Sequence, residues 1–232
     1  MSSVTNNIPK HLGLILDGNR RWAKKQGIPQ LEGHRKGYEN LKEIGLAAIE
    51  NGIEYVSAYV FSTENWNRGK EEVGYLMKLL LWVAKNEVNY LHKENIKVLF
   101  AGSDDRLDKN IIDAIKTAED KTKNNTKGTL ILCLNYGGHQ EIADATKRIM
   151  NDKVDADNVT PELISKYLYV PEVPPLDMVI RTSGEQRISG FMLWRAAYSE
   201  LYFADKYWPE FTKNDLNVAL DWYKNRERRF GS

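Results

Sequence analysis

The stretch Lys10-His-Leu-Gly-Leu-Ile-Leu-Asp17-Gly18-Asn19-Arg20-Arg21-Trp22-Ala-Lys-Lys-Gln-Gly27 decides the fold. Leu12, Leu14, Ile15 and Leu16 form a nearly uninterrupted apolar run, the pattern of a parallel strand covered on both faces. An acid, a glycine and an amide follow at once, then a basic, helix-compatible segment, which predicts a tight turn opening a helix. Backbone N–H groups and the helix dipole favour an anion there, and Gly18 permits close approach. A carboxylate beside an anion is repelled unless a divalent cation stands between them, which reconciles Asp17 with a phosphate ligand. The plainer alternative is an Asp N-cap with glycine for the turn. Arg20 and Arg21 tilt the balance toward a diphosphate, because guanidinium forks match phosphate oxygens. Neither Gly-x-x-x-x-Gly-Lys-Ser/Thr nor Gly-x-Gly-x-x-Gly occurs, so the usual nucleotide cradles are excluded.

Strands alternate with helices along the rest of the chain. Apolar, β-rich runs at Tyr55–Phe61, Ile96–Phe100, Thr129–Asn135 and Leu176–Ile180 predict further buried strands. Helical spacing marks the segments from Leu31 to Asn51-Gly52, Glu71 to Lys93, Asp108 to about Lys123, Glu141 to Met150 and Leu216 to Phe230, with a short helix opened by Thr160-Pro161. The apolar stripe of the Glu71–Lys93 helix is widened by Tyr75, Leu79, Leu81 and Trp82, so this helix is expected to be buried on more than one side, as a core helix or as the wall of an apolar tunnel. The fold class is thus α/β, one domain over residues 1–232 with residues 1–9 flexible. Its mostly parallel sheet of about six strands carries helices on both faces and ligands at its C-terminal edge.

Composition narrows the function classes. Lys and Arg total 33 against 32 for Asp and Glu, a net charge of +1, so no global field marks a nucleic-acid or acidic-membrane binder. Cys133 lies in an apolar run and reads as a buried small hydrophobe in a reducing compartment. The polar start has no signal-peptide core and no run reaches the roughly 20 apolar residues of a membrane span, so a cytoplasmic protein is expected. Asp104, Asp105 and Asp108 spell Asp-Asp-x-x-Asp, but one such cluster at a strand-to-helix turn reads as helix capping and not as a metal site.

Three polar loops follow strand ends: Asp17–Arg21, Ser62–Arg68 and Arg181–Ser189. With Gly33-His34, Asn135-Tyr-Gly-Gly138, Leu193-Trp194, Glu200-Leu-Tyr-Phe203 and Asn225-Arg-Glu-Arg-Arg-Phe-Gly231, they make the chain resemble the cis-prenyltransferases over nearly its full length, the bacterial undecaprenyl diphosphate synthases most of all. The resemblance implies Mg²⁺-dependent condensation of isopentenyl diphosphate onto an allylic diphosphate such as farnesyl diphosphate, by a homodimer with at most peripheral membrane contact for product release. It implies that Asp17 holds the metal with Glu200 helping to place it. Gly18, Asn19, Arg20, Arg21, Trp22 and Gln30 would bind the allylic substrate, and Arg181, Arg187, Ile188 and Ser189 the second diphosphate. It assigns substrate contacts to His34, Phe61, Ser62, Thr63, Glu64, Trp66 and Arg68, and proton removal to Asn65. A carboxamide is a poor base, so Asn65 is read as orienting the alkene or relaying a proton to a diphosphate oxygen or water.

The chain departs from the family at Gln30 and His139, where many members carry Arg, and at Gly190, where Asn is common. Leu79, Leu80, Leu81, Val83 and Val88 favour a long compartment, while branched Val60 narrows the route. A long polyprenyl product, undecaprenyl diphosphate, is expected, with a short-chain cis-prenyl diphosphate as the alternative. A non-catalytic partner subunit is the reading from a different class, disfavoured because Asp17, Asn65, Arg181 and Arg187 are all present.

Overall fold

A computed structural model of the chain describes residues 8–226. The expected flexible start falls largely, and the Arg-rich end wholly from residue 227, outside the described residues. Six strands form one all-parallel sheet in the order β3-β4-β2-β1-β5-β6. They are β1 (His11–Ile15), β2 (Tyr55–Ser62), β3 (Ile96–Ala101), β4 (Gly128–Tyr136), β5 (Met178–Arg181) and β6 (Glu200–Phe203). The order switches at β1: the chain first builds β2, β3 and β4 on one side of it and then returns to lay β5 and β6 on the other. Crevices of this kind lie at the C-terminal edge of an open sheet and admit ligands.

Alternation along the strands divides the core. Leu12 and Leu14 of β1, Val56 and Ala58 of β2, and Leu130 and Leu132 of β4 pack toward α2 (Gln30–Glu50) and the last helix. Ile15, Ile131, Cys133 and Val179 pack on the opposite face with Tyr169 and Phe191. Cys133 is fully buried and burial raises its thiol pKa, as a small hydrophobe requires. The remaining helices are α1 (Asn19–Lys25), α3 (Lys70–Asn86), α4 (Val88–Lys93), α5 (Lys109–Thr122), α6 (Gly138–Asn151), α7 (Pro161–Tyr167) and α8 (Lys213–Lys224).

Two helical expectations need correction. The single helix predicted from Glu71 to Lys93 is broken at Glu87 into α3 and α4, and of the α3 side chains only Leu76 and Ala84 are buried. The wide stripe does not signal a sandwiched core helix, because Leu79, Leu80 and Val83 face a cavity. The last helix is assigned only to Lys224, where Asn225 caps it with its backbone N–H on Trp222 O; the predicted continuation to Phe230 runs outside the described residues.

At the opposite edge His11 is buried between β1 and the 174–177 segment. Its Nδ1 lies 2.8 Å from the Pro174 carbonyl, which can only accept, so Nδ1 carries the proton and Nε2 accepts from the Ser57 hydroxyl at 2.7 Å. Burial pushes its pKa down to about 4, outweighing the Pro174 carbonyl that favours the cation. The folded state therefore refuses a proton that the unfolded chain takes up below about 6.5. Stability from this group is complete above pH 6.5 and is lost as pH falls toward 4, by about 3 kcal/mol. Urea titrations at pH 7 and pH 4.5 test this: His11→Asn should show a flatter pH dependence than the parent, and equal slopes would refute the assignment.

Candidate active site

Gly18 closes the turn after β1 with φ +101°, and a Cβ there would lie 2.7 Å from Tyr207 Cδ1, so both the backbone and the space demand glycine. Gly18 is also the residue that caps α1, with no side chain bonded to the cap. That resolves the alternative left open by the sequence. The Asp17 carboxylate does not cap the helix but faces two guanidiniums: Arg181 Nη2 donates to its Oδ2 at 2.9 Å and Arg21 Nη2 to its Oδ1 at 3.0 Å. Partial burial alone would raise its pKa, but Arg181 and then Arg21 outweigh this and hold the carboxyl below the usual range.

The pairing of β1 with β5 sets this contact, because Ile15 is in register with Arg181. Arg181 is almost fully buried; its Nη1 donates to Ser189 Oγ at 2.9 Å and to the Arg187 carbonyl at 2.5 Å, which folds the 181–189 loop back over it. Its Nε is buried without a hydrogen-bond partner. Arg21 also donates to Glu185 at 3.0 Å, and Glu185 accepts from Arg187 at 2.6 Å. Three arginines thus alternate with two carboxylates, leaving a surplus of one positive charge where an anion would dock. Ser183, Ser189, Gly184 and Gly190 all have positive φ, so this loop is held in conformations that most side chains avoid. Gly190 at φ +73° occupies a backbone region that glycine and asparagine both tolerate.

A second cationic group sits on the other side of the turn. Glu72 of α3 accepts from Arg68 at 2.9 Å and lies 3.0 Å from His34 Nε2 and 3.7 Å from Arg20. Burial lowers the His34 pKa despite its carboxylate neighbour, so it is a neutral donor at pH 7. Gln30 accepts from Arg20 Nε at 3.2 Å, a polar contact at the mouth. Ser62 N–H donates to Asn65 Oδ1 at 3.1 Å, which fixes the carboxamide at the loop. Trp66 stacks edge-on against buried Phe61 and donates its indole N–H to Asn135 Oδ1 at 2.7 Å.

Between these groups opens a cavity of about 600 Å³. Its mouth is polar, with Asp17, Gly18, Asn19, Arg20, Arg21, Gln30, His34, Asn65 and Arg68. Below Val60 and Leu76 the walls turn aliphatic and reach Ile49, Leu91, Ile96 and Leu130 near the opposite sheet edge. Val60 stands in a β-bulge of β2, an extra residue between Tyr59 and Phe61 against β4, and this turns Phe61 to the same side as Val60.

The remaining predicted residues are placed less centrally. Phe61, Ser62 and Trp66 support the loop, and Thr63 packs on Gly137. Trp22, Thr63, Glu64 and Ile188 do not line the cavity. His139 is exposed at the start of α6, away from the mouth. Glu200 begins β6 in register with Met178, three residues before the Arg181 level, and accepts from Arg226 at 3.1 Å. Parallel strands put their first residues at the edge opposite their last, so Glu200 does not reach Asp17 within one chain. Among the described residues no three Asp, Glu, His or Cys side chains gather to hold a metal, the Asp104–Asp108 cluster included. Sequence reading missed Glu72 and Glu185, which hold the site cations in place; Glu72, four residues after Arg68, carried a helical-spacing signal for that pair.

Comparison with known proteins finds relatives over nearly the whole chain. The family model described as undecaprenyl diphosphate synthase matches residues 15–231. An isoprenyl transferase of Thermotoga maritima is 46% identical over 226 residues, covering 97% of both chains. A ditrans,polycis-undecaprenyl-diphosphate synthase of Vibrio parahaemolyticus, specific for (2E,6E)-farnesyl diphosphate, is 41% identical over 99% of this chain and 93% of its own. Lavandulyl diphosphate synthase from Lavandula x intermedia, solved with dimethylallyl diphosphate, superposes with TM-score 0.93 at 33% identity, over 97% of this chain and 99% of that one.

Proposed function

The chain belongs to the undecaprenyl diphosphate synthase family and is a cis-prenyltransferase, and from that membership we propose that it condenses isopentenyl diphosphate with an allylic diphosphate to a long-chain polyprenyl diphosphate. The observation that carries this reading is a cationic mouth, formed by Asp17, Arg20, Arg21 and Arg68 with Arg181 paired to Asp17 behind it, opening into an aliphatic cavity that reaches the opposite sheet edge. The allylic C–O bond breaks with its electron pair leaving on the diphosphate. The alkene of the second substrate supplies the electrons of the new C–C bond, and a proton then leaves to restore a double bond. Arg20, Arg21 and the turn at Gly18 stabilise the departing diphosphate, and Arg181, Arg187 and Ser189 hold the other. Asn65 already accepts a hydrogen bond at Oδ1, so its amide group orients the alkene and a diphosphate oxygen or water takes the proton.

A divalent metal fits in one mode only. Asp17 is a single ionised carboxylate at the phosphate turn, and Mg²⁺ is commonly held by one or two carboxylates together with substrate phosphate oxygens. Bound there, Mg²⁺ supplies charge neutralisation to the leaving diphosphate. The whole chain acts as one catalytic domain in the cytoplasm, and a homodimer is supported by the edge strand β6, next to which Tyr198 is 80% exposed and on which Leu201 is 39% exposed. No helix of the described residues is long and apolar enough to cross a membrane.

Incubation of the purified chain with Mg²⁺, an allylic primer and labelled isopentenyl diphosphate, followed by mass analysis of dephosphorylated products, tests the proposal; no incorporation would refute it, and products of three or four isoprene units would make it a short-chain enzyme. Arg187→Ala should raise KM for isopentenyl diphosphate by about 10- to 100-fold, the loss of a charge-assisted contact. If KM for the allylic substrate rises instead, the two diphosphate positions are reversed.

A further inference from the structure

The cavity wall between α2 and the α3–α4 break is closed by side chains alone. Tyr38 and Lys42, one turn apart on α2, each reach across it. The Tyr38 ring meets Trp82 edge-on at 6.1 Å between centroids. Lys42 Nζ lies 2.7 Å from Glu87 Oε2 and 4.0 Å from the centre of the Tyr90 ring. Tyr38, Lys42 and Glu87 line the cavity on their inner side, while Trp82 and Tyr90 are exposed outside. The wall is thus one side chain thick at this point, and it carries an ion pair in the otherwise aliphatic lower half of the cavity. Elsewhere the lower cavity is bounded by buried sheet and helix residues such as Leu41, Ile49, Ile96 and Leu132.

We propose that the pair of crossings Tyr38–Trp82 and Lys42–Glu87–Tyr90 is a clasp that keeps the growing chain in the cavity and so sets the product length. The inference rests on the prenyl-transfer reading above. A lengthening apolar chain gains free energy with each methylene it hides from water, and so presses into whatever space is left. The sheet cannot yield without breaking backbone hydrogen bonds, whereas the clasp opens by loss of one half-exposed ion pair and two aromatic contacts. Glu87 stands at the junction of α3 and α4, facing Lys42 of α2.

The test uses Lys42→Met, Trp82→Ala and the swap Lys42→Glu with Glu87→Lys. Mass analysis of products should show chains shorter by one or more isoprene units in the two single variants and a return toward the parental length in the swap, with the rate of the first condensation unchanged. Independently of turnover, a series of n-alkyl phosphates is titrated by calorimetry. Chains too short to pass Val60 should bind parent and Lys42→Met equally, and chains long enough to reach Ile96 should bind the variant about tenfold more weakly. Unchanged or longer products, or identical length dependence of binding, overturn the clasp. Failure of the parent to incorporate isopentenyl diphosphate overturns the prenyl-transfer reading instead, and the alkyl phosphate series still decides whether the clasp retains a chain.

Discussion

Asp17→Ala is expected to lower turnover by about 10³-fold or more while the protein stays folded. The side chain sits at a partly exposed turn, not in the core, and Gly18 rather than Asp17 caps α1, so helix and strand keep their ends. What the substitution removes is a carboxylate held ionised by Arg181 and Arg21, the one acid placed to share a cation with a bound diphosphate. It also leaves the nearly buried Arg181 with one partner fewer, a cost of about 1–3 kcal/mol. Asp17→Asn separates the two effects, because an amide oxygen still accepts from Arg181 but carries no charge. Both variants should lose turnover, and only Asp17→Ala should lose thermal stability. A turnover number within tenfold of the parent at saturating Mg²⁺ in either variant would refute the metal role.

How much of this was legible in the sequence follows from the range of each interaction. The strand, turn and helix at Leu12–Lys25 are local, and the run of apolar residues ending in Asp-Gly-Asn foretold all three. That Arg181 would meet Asp17 is not local, yet it follows once β5 is placed beside β1, and the loop motifs pointed to the same edge. The separation of Glu200 from Asp17 within one chain was not legible, because a motif gives no strand direction and β6 starts with Glu200 at the far edge. Val60 and Phe61 could not be assigned to one face from period-two alternation, since a bulge adds a residue between registers. The break at Glu87 left no mark in a sequence without Gly or Pro there, and the apolar excess of α3 allowed either a core helix or a tunnel wall, of which the cavity lining is the second. Glu72 and Glu185 are ordinary surface acids by pattern, and only the fold shows that they occupy the arginines of the mouth.

Arg195→Met should be the most destabilising of the substitutions considered. Arg195 and Glu141 are both nearly inaccessible to solvent and 2.9 Å apart, and Arg195 Nη2 also reaches the Tyr169 carbonyl at 2.6 Å and the Val170 carbonyl at 3.1 Å, and Nε the Val173 carbonyl at 3.3 Å. Glu141 also accepts from the Tyr169 N–H at 3.0 Å and from the Tyr136 hydroxyl. Methionine fills the space but strands a buried carboxylate and three carbonyls, for which about 3–5 kcal/mol is expected. At about 2–4 °C per kcal/mol for a chain of this size, Tm should fall by about 10 °C. Adding Glu141→Gln removes the stranded charge and should recover part of that loss, the behaviour of a coupled pair. The effect should also reach the site, because the same α6 begins at Gly138, whose N–H donates at 2.9 Å to the carbonyl of Gly190 beside Ser189. Slackening α6 loosens the 181–190 loop that Arg181 and Ser189 close, so below its lowered Tm the variant should show a raised KM for isopentenyl diphosphate with the allylic KM unmoved. A Tm within 2 °C of the parent would mean that the buried pair is replaceable by apolar packing at no cost.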